Sequence, residues 1–155
     1  MEQKFIEVSA TPSNPNWENM IAREEELYKK TNDVRSDFER DYDRILYSNA
    51  YRRLKHKTQV FFLPKNDHIC TRIEHVNNVD ATSYTIAKSL GLNTTLTRAI
   101  SIAHDIGHSP FGHKGESILN KLATSEGLER FWHERNGLNF VDKEDQKLIC
   151  DYDKC

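Results

Sequence analysis

The apolar positions of this chain recur mainly at helical spacing. Trp17, Met20, Ile21, Leu27 and Tyr28 stand among Glu and Arg, which predicts an amphipathic helix over 17–30. Ser36-Asp37-Phe38-Glu39 reads as a capping box, in which a Ser and a Glu three residues apart each bond the other's backbone N–H. Phe38, Tyr42, Ile45, Leu46, Ala50 and Leu54 follow at steps near one helical turn. They predict one long helix ending in the basic stretch Arg52 to Lys57, which suits the negative end of the helix dipole. Thr58 to Leu63 reads as an extended connection closed by Pro64. Ile73, Val76, Val79, Ile86, Ala87 and Leu90 mark a third helix, with Gly91 placed to end it in a left-handed turn. Asn93 caps a fourth that carries Leu96, Ala99, Ile100 and Ala103 and stops at Gly107 and Pro110. A fifth starts near His113 with Ile118, Leu119 and Leu122. Phe131 to Glu134 opens a further short helix that Gly137 is expected to interrupt. The fold class is all-α, with an N-terminal arm and helix over 1–34, a helical domain over 35–140 and a polar tail over 141–155.

Composition narrows the class. The 155 residues fit one domain. With 22 Lys+Arg against 24 Asp+Glu the formal charge is −2, so a basic nucleic-acid scaffold is not indicated. No run approaches the roughly 18 apolar residues of a membrane span, and the N-terminus has no apolar signal core. Three cysteines without paired spacing suit a reducing compartment, so a soluble cytoplasmic protein is expected. Apolar residues make up 37% and charged residues 30%, which predicts a thin core that needs a metal, a partner or more chain.

The candidate chemistry is histidine and carboxylate. Of seven histidines, His104, His108, His113 and His133 crowd a short stretch. Imidazole nitrogen beside carboxylate oxygen suits Mn, Fe, Zn or Mg, and His104-Asp105 at the end of an apolar helix offers both. If the third and fourth helices pack antiparallel, His75 near the start of one meets His104-Asp105 near the end of the other. His113 and Glu116 are three apart and share a helix face, as an acid–base pair beside a metal requires. The run Arg52, Arg53, Lys55 and Lys57 reads equally as a solvated helix end or a phosphate-facing patch. Cys70 is expected to be a small buried residue and not a ligand; His56 and His68 are expected at the surface. The aromatics Trp17, Phe61, Phe62, Phe111 and Trp132 are expected in the core and not as a base-stacking platform.

Four ordered segments, RSDFERDYDR (35–44), YRRLKHKTQVF (51–61), TRIEH (71–75) and HDIGHSPFGHKGE (104–116), resemble the N-terminal part of the HD-domain deoxynucleoside triphosphate triphosphohydrolases, the dGTPase-like family. The resemblance implies an HD helical bundle. It implies a divalent metal held by His75, His104 and Asp105, with His113 and Glu116 as the catalytic pair. It places Arg72 on the triphosphate, Gln59 on the deoxyribose, and His108 and His133 near the phosphates. The expected activity is metal-dependent hydrolysis of a deoxynucleoside triphosphate, dGTP-like, to deoxynucleoside and triphosphate. Alternatives are another HD phosphohydrolase, a nucleotidase or cyclic-nucleotide phosphodiesterase, or an inactive fragment serving a partner subunit. A homo-oligomer is left open.

The HD pattern takes a further Asp from a later helix. Asp142, Asp145, Asp151 and Asp153 come too soon and lie in the polar tail. The chain is therefore expected to be truncated at its C-terminal side, and inactive or nearly so alone.

Overall fold

The computed structural model describes residues 5–22, 31–57 and 70–141. Seven α-helices occur among them: α1 (Trp17–Ile21), α2 (Asp37–Tyr47), α3 (Asn49–Arg53), α4 (Arg72–Leu90), α5 (Thr94–Ala103), α6 (Gly112–Ser125) and α7 (His133–Asn139). No strand occurs among the described residues, so the all-α expectation holds. No helix there is long and apolar enough to cross a membrane. Gln59, the Thr58 to Leu63 connection, His68 and the four tail aspartates lie outside the described residues.

Helix α2 starts as its sequence dictates. The Ser36 hydroxyl accepts from Glu39 N–H, and Glu39 Oε2 accepts from Ser36 N–H at 2.6 Å. It does not run on to Leu54. Ser48 adopts extended backbone, and its hydroxyl accepts from Tyr51 N–H at 3.1 Å, ending α2 and capping α3. A serine hydroxyl offers the chain this alternative to the next helical bond. The restart brings Ala50, Tyr51 and Leu54 into the core.

Helix α5 packs against both α2 and α4. Ile45, Tyr51, Leu54, Val76, Ala99, Ile102 and Ile106 close the centre. The Asn93 cap bonds Leu96 N–H at 2.9 Å, and Gly91 takes the left-handed turn at φ 77° after α4. A second capping pair was not read from the sequence: Glu74 accepts from the N–H and hydroxyl of Thr71 and starts α4 one turn before His75. The arm before α1 docks on the α4–α5 turn, where Phe5 N–H donates to Leu90 C=O at 3.3 Å and the Asn93 side chain donates to Ala10 C=O.

Several burial expectations fail. Ile100 is 60% exposed, and Ile102, two residues on, fills the core in its place. Phe111 and Trp132 are exposed, whereas Trp17 packs edge-to-face on Phe38 at 5.7 Å. Cys70 is an exposed free thiol, not a buried one. Ile118, Leu119 and Leu122 line an exposed face of α6, so the core ends at α5 and its flanks, as the thin apolar content implied.

Candidate metal centre

The antiparallel contact of α4 with α5 does what the sequence required. His75 on α4 and His104-Asp105 at the end of α5 bring three potential ligand atoms within 4.8 Å of one another. The His75 and His104 rings sit 5.5 Å apart, edge to face. His104 Nδ1 lies 2.7 Å from Ser101 C=O, one turn back. Nδ1 donates to that carbonyl, and Nε2 is turned to Asp105, 3.5 Å from its Oδ1. A backbone carbonyl orienting the ring through its other nitrogen is the usual support of a metal-binding histidine. The donor set therefore fits a divalent cation.

Asp105 is 4% exposed and sits at a junction. Arg72, the first residue of α4, donates to its Oδ2 at 2.7 Å. Burial pushes the Asp105 carboxyl up, but His108, His104 and Arg72 outweigh it and hold the group well below the usual range. Arg72, which the resemblance put on the triphosphate, is thus a buried partner of Asp105 that lies beside the proposed metal.

The turn between α5 and α6 carries the rest. His108 is 5% exposed and wedged between Asp105 and His133, whose ring is 4.1 Å away. Its Nδ1 lies 3.2 Å from Asp105 Oδ1, off the line of a hydrogen bond, and neither ring nitrogen has a hydrogen-bond partner. Such a buried orphan costs about 1–3 kcal/mol. Glu116, on the second turn of α6, lies 3.2 Å from His133 Nδ1 and 3.7 Å from His113 Nδ1. Burial pushes the Glu116 carboxyl up, but the charge and hydrogen bonds of His133, with His113, leave it lowered. The carboxylate thus braces His133 more closely than the His113 to which the sequence tied it. The His113 side chain is 82% exposed and lines an open groove with Glu116, Asn120, Lys121 and Arg130.

The basic run divides. Arg52, Arg53 and Lys55 face solvent, Arg53 stacking on Phe140 at 4.8 Å. Only Lys57 turns inward, donating to His108 C=O while its own carbonyl accepts from Arg72 N–H at 2.7 Å. Burial lowers its ammonium pKa, helped by Arg53 and Arg72. Lys57 therefore ties the start of α4 to the His108 turn, a role with no signal in the sequence beyond its charge.

Gly107 sets the close approach of this turn to α7. A Cβ there would stand 2.0 Å from His133 C=O and 2.2 Å from Gly137 N, both backbone atoms. Asn136 seals the contact by donating to Gly107 C=O at 2.8 Å. Gly137, expected to interrupt the helix, lies within α7, and its own Cβ would meet nothing nearer than 3.7 Å. Gly107→Ala is expected to destabilise by about 1–3 kcal/mol, the range for overpacking, and Gly137→Ala to be nearly neutral. Urea midpoints check this; equal effects would contradict the packing.

Residues 72–151, just over half of the chain, match the family model described as HD domain. The chain belongs to the HD-domain family. This HD chain is 55% identical over 101 residues to a deoxyguanosinetriphosphate triphosphohydrolase-like protein of Caldanaerobacter subterraneus subsp. tengcongensis, covering 65% of this chain and 29% of that one. A protein of the same name from Desulfatibacillum aliphaticivorans is 50% identical over 109 residues, 70% of this chain and 30% of the other. Another, from Bartonella tribocorum, is 46% identical over 121 residues, 78% and 30% of the two chains. The HD chain thus spans about 30% of the length of these relatives.

Proposed function

We propose that this HD chain carries the metal-binding and proton-transferring face of an enzyme that hydrolyses a deoxynucleoside triphosphate to deoxynucleoside and triphosphate. The observation that carries the reading is the convergence of His75, His104 and Asp105, with His108 lying 3.2 Å from Asp105 and its ring 5.6 Å from that of His113. The relatives named dGTP triphosphohydrolase-like point to the substrate class.

A divalent cation held by His75, His104 and Asp105 would offset charge on a phosphate oxygen and acidify water. The remaining steps fall to the chain. Water adds to the α-phosphorus and the bond from that phosphorus to the 5′ oxygen breaks. The hydroxyl stays with the triphosphate, and the 5′ oxygen needs a proton. His113, exposed along the groove, is the donor, and Glu116 stabilises its charged form. Lys121 and Arg130 along the same groove offset the charge of the phosphate tail. Arg72 donates to Asp105 Oδ2 and holds the carboxylate in place. Gln59 on the deoxyribose, and His108 and His133 beside the phosphates, complete the reading. With three protein donors assigned to the cation, turnover by this chain alone is expected to be slow.

A panel of dGTP, dGMP and a cyclic nucleotide, incubated with Mn²⁺ and long enough for slow turnover, tests the reading. Triphosphate from dGTP alone is the expected product. Orthophosphate from dGMP would make it a nucleotidase, and ring opening a phosphodiesterase.

A further inference from the structure

Phe111 holds a conformation that its side chain makes costly. Its backbone is left-handed at φ 64° and ψ 23°, a region that glycine enters freely and a bulky residue does not. The ring is 67% exposed and lies outside the core cluster. Neither backbone ease nor core packing therefore accounts for a phenyl group at this position. The turn around it is fixed from several sides. The buried Ser109 donates its hydroxyl to Gly112 C=O at 2.9 Å, and Gly115 N–H donates to Phe111 C=O at 3.4 Å. A Cβ on Gly115 would stand 1.8 Å from Pro110 C=O, so the turn sits tightly on α6. Backbone strain held this firmly collects at ligand clamps and active sites. We infer that Phe111 is the nucleoside contact of the α6 groove, its ring stacking on the base of the bound nucleotide.

The order of groups along α6 sets the direction. His113 stands on the first turn, and Lys121 and Arg130 line the same groove further along the chain. With His113 at the 5′ oxygen and the two cations on the triphosphate, the nucleoside leaves the groove at the N-terminal end of α6. Phe111 immediately precedes that end. Its Cα lies at most about 7 Å from that of His113, a span that one nucleoside covers. The same turn meets the metal centre, since a Cβ on Gly112 would lie 3.7 Å from Nη2 of Arg72, the arginine that holds Asp105. A nucleotide whose phosphates reach that centre thus passes the exposed ring. Every base offers a π-face to an aromatic side chain, so the contact adds affinity for the nucleoside half without selecting one base. This contact rests on the placement of His113 in the proposed function, and the test separates the two.

The whole chain is titrated with dGTP and, separately, with inorganic triphosphate, in Mg²⁺ and by calorimetry. The ¹H NMR spectrum of bound dGTP is recorded alongside. An upfield shift of the base H8 proton, the mark of a ring stacked on it, is expected with the unaltered chain. Phe111→Gly and Phe111→Leu should each weaken dGTP roughly 5- to 150-fold, the range for loss of one base–aromatic stack. Both should abolish the H8 shift and leave triphosphate affinity unchanged, whereas Phe111→Tyr should keep all three. Phe111→Gly suits the left-handed backbone and should keep its cooperative unfolding transition; Phe111→Leu is the second variant if it does not. Unchanged dGTP affinity and H8 shift in a folded variant, or equal loss of dGTP and triphosphate binding, would overturn the inference. Stacking that depends on Phe111, without triphosphate release, would sink the proposed reaction and leave this contact standing. Triphosphate release with dGTP binding indifferent to Phe111 would do the reverse.

Discussion

His104→Ala is expected to remove the cation proposed for the α4–α5 site and to leave the helices in place. The His104 ring lies at the end of α5, one-third exposed, and its removal takes away no core contact. It takes one of three protein donors and leaves His75 and Asp105. Loss of a residue that merely supports a ligand costs about 10–100-fold in metal affinity, so loss of a ligand should cost more. Elemental analysis of the folded variant should show one cation fewer than the unaltered chain. Unchanged metal content would remove His104 from the site.

His113→Ala has the opposite signature. The ring is exposed and lies outside the His75, His104 and Asp105 set, so metal content should not change. Turnover should fall by roughly 10²–10⁴, the usual contribution of a positioned acid or base. Glu116→Gln should act on two rings at once, since Glu116 faces both His133 and His113. A His113→Ala protein that loses metal, with turnover lost only in proportion, would show that proton transfer and coordination have been assigned to the wrong residues.

Much of the site was legible because its residues cluster in the sequence or sit at helix ends. Asn93 caps α5 and Gly91 ends α4, and together they fix the short turn that makes the two helices antiparallel. That places His75 against His104-Asp105 from periodicity and these two helix-end residues. The pairing of Glu116 was less legible. Spacing along α6 permits His113, but the Gly107–Gly137 approach brings His133 in from α7, and backbone contact between distant glycines leaves no periodic trace. The break at Ser48 was hidden for another reason. The apolar pattern continues through it, and only the hydroxyl bond to Tyr51 N–H shows that the chain turns. Lys57 was one of four equivalent charges until the fold turned it alone toward the His108 carbonyl. The exposed α6 face was legible as a shortage, since the sequence supplies few apolar partners for Ile118, Leu119 and Leu122.

The central claim is that water attacks the α-phosphorus and the 5′ oxygen leaves with a proton from the chain. The direct measurement is hydrolysis of dGTP by the metal-loaded protein in ¹⁸O-water, with both products analysed by mass spectrometry. The account predicts one ¹⁸O in inorganic triphosphate and none in deoxyguanosine. Label in the 5′ hydroxyl of deoxyguanosine, label in orthophosphate, or dGTP left intact after a long incubation with excess protein would contradict it.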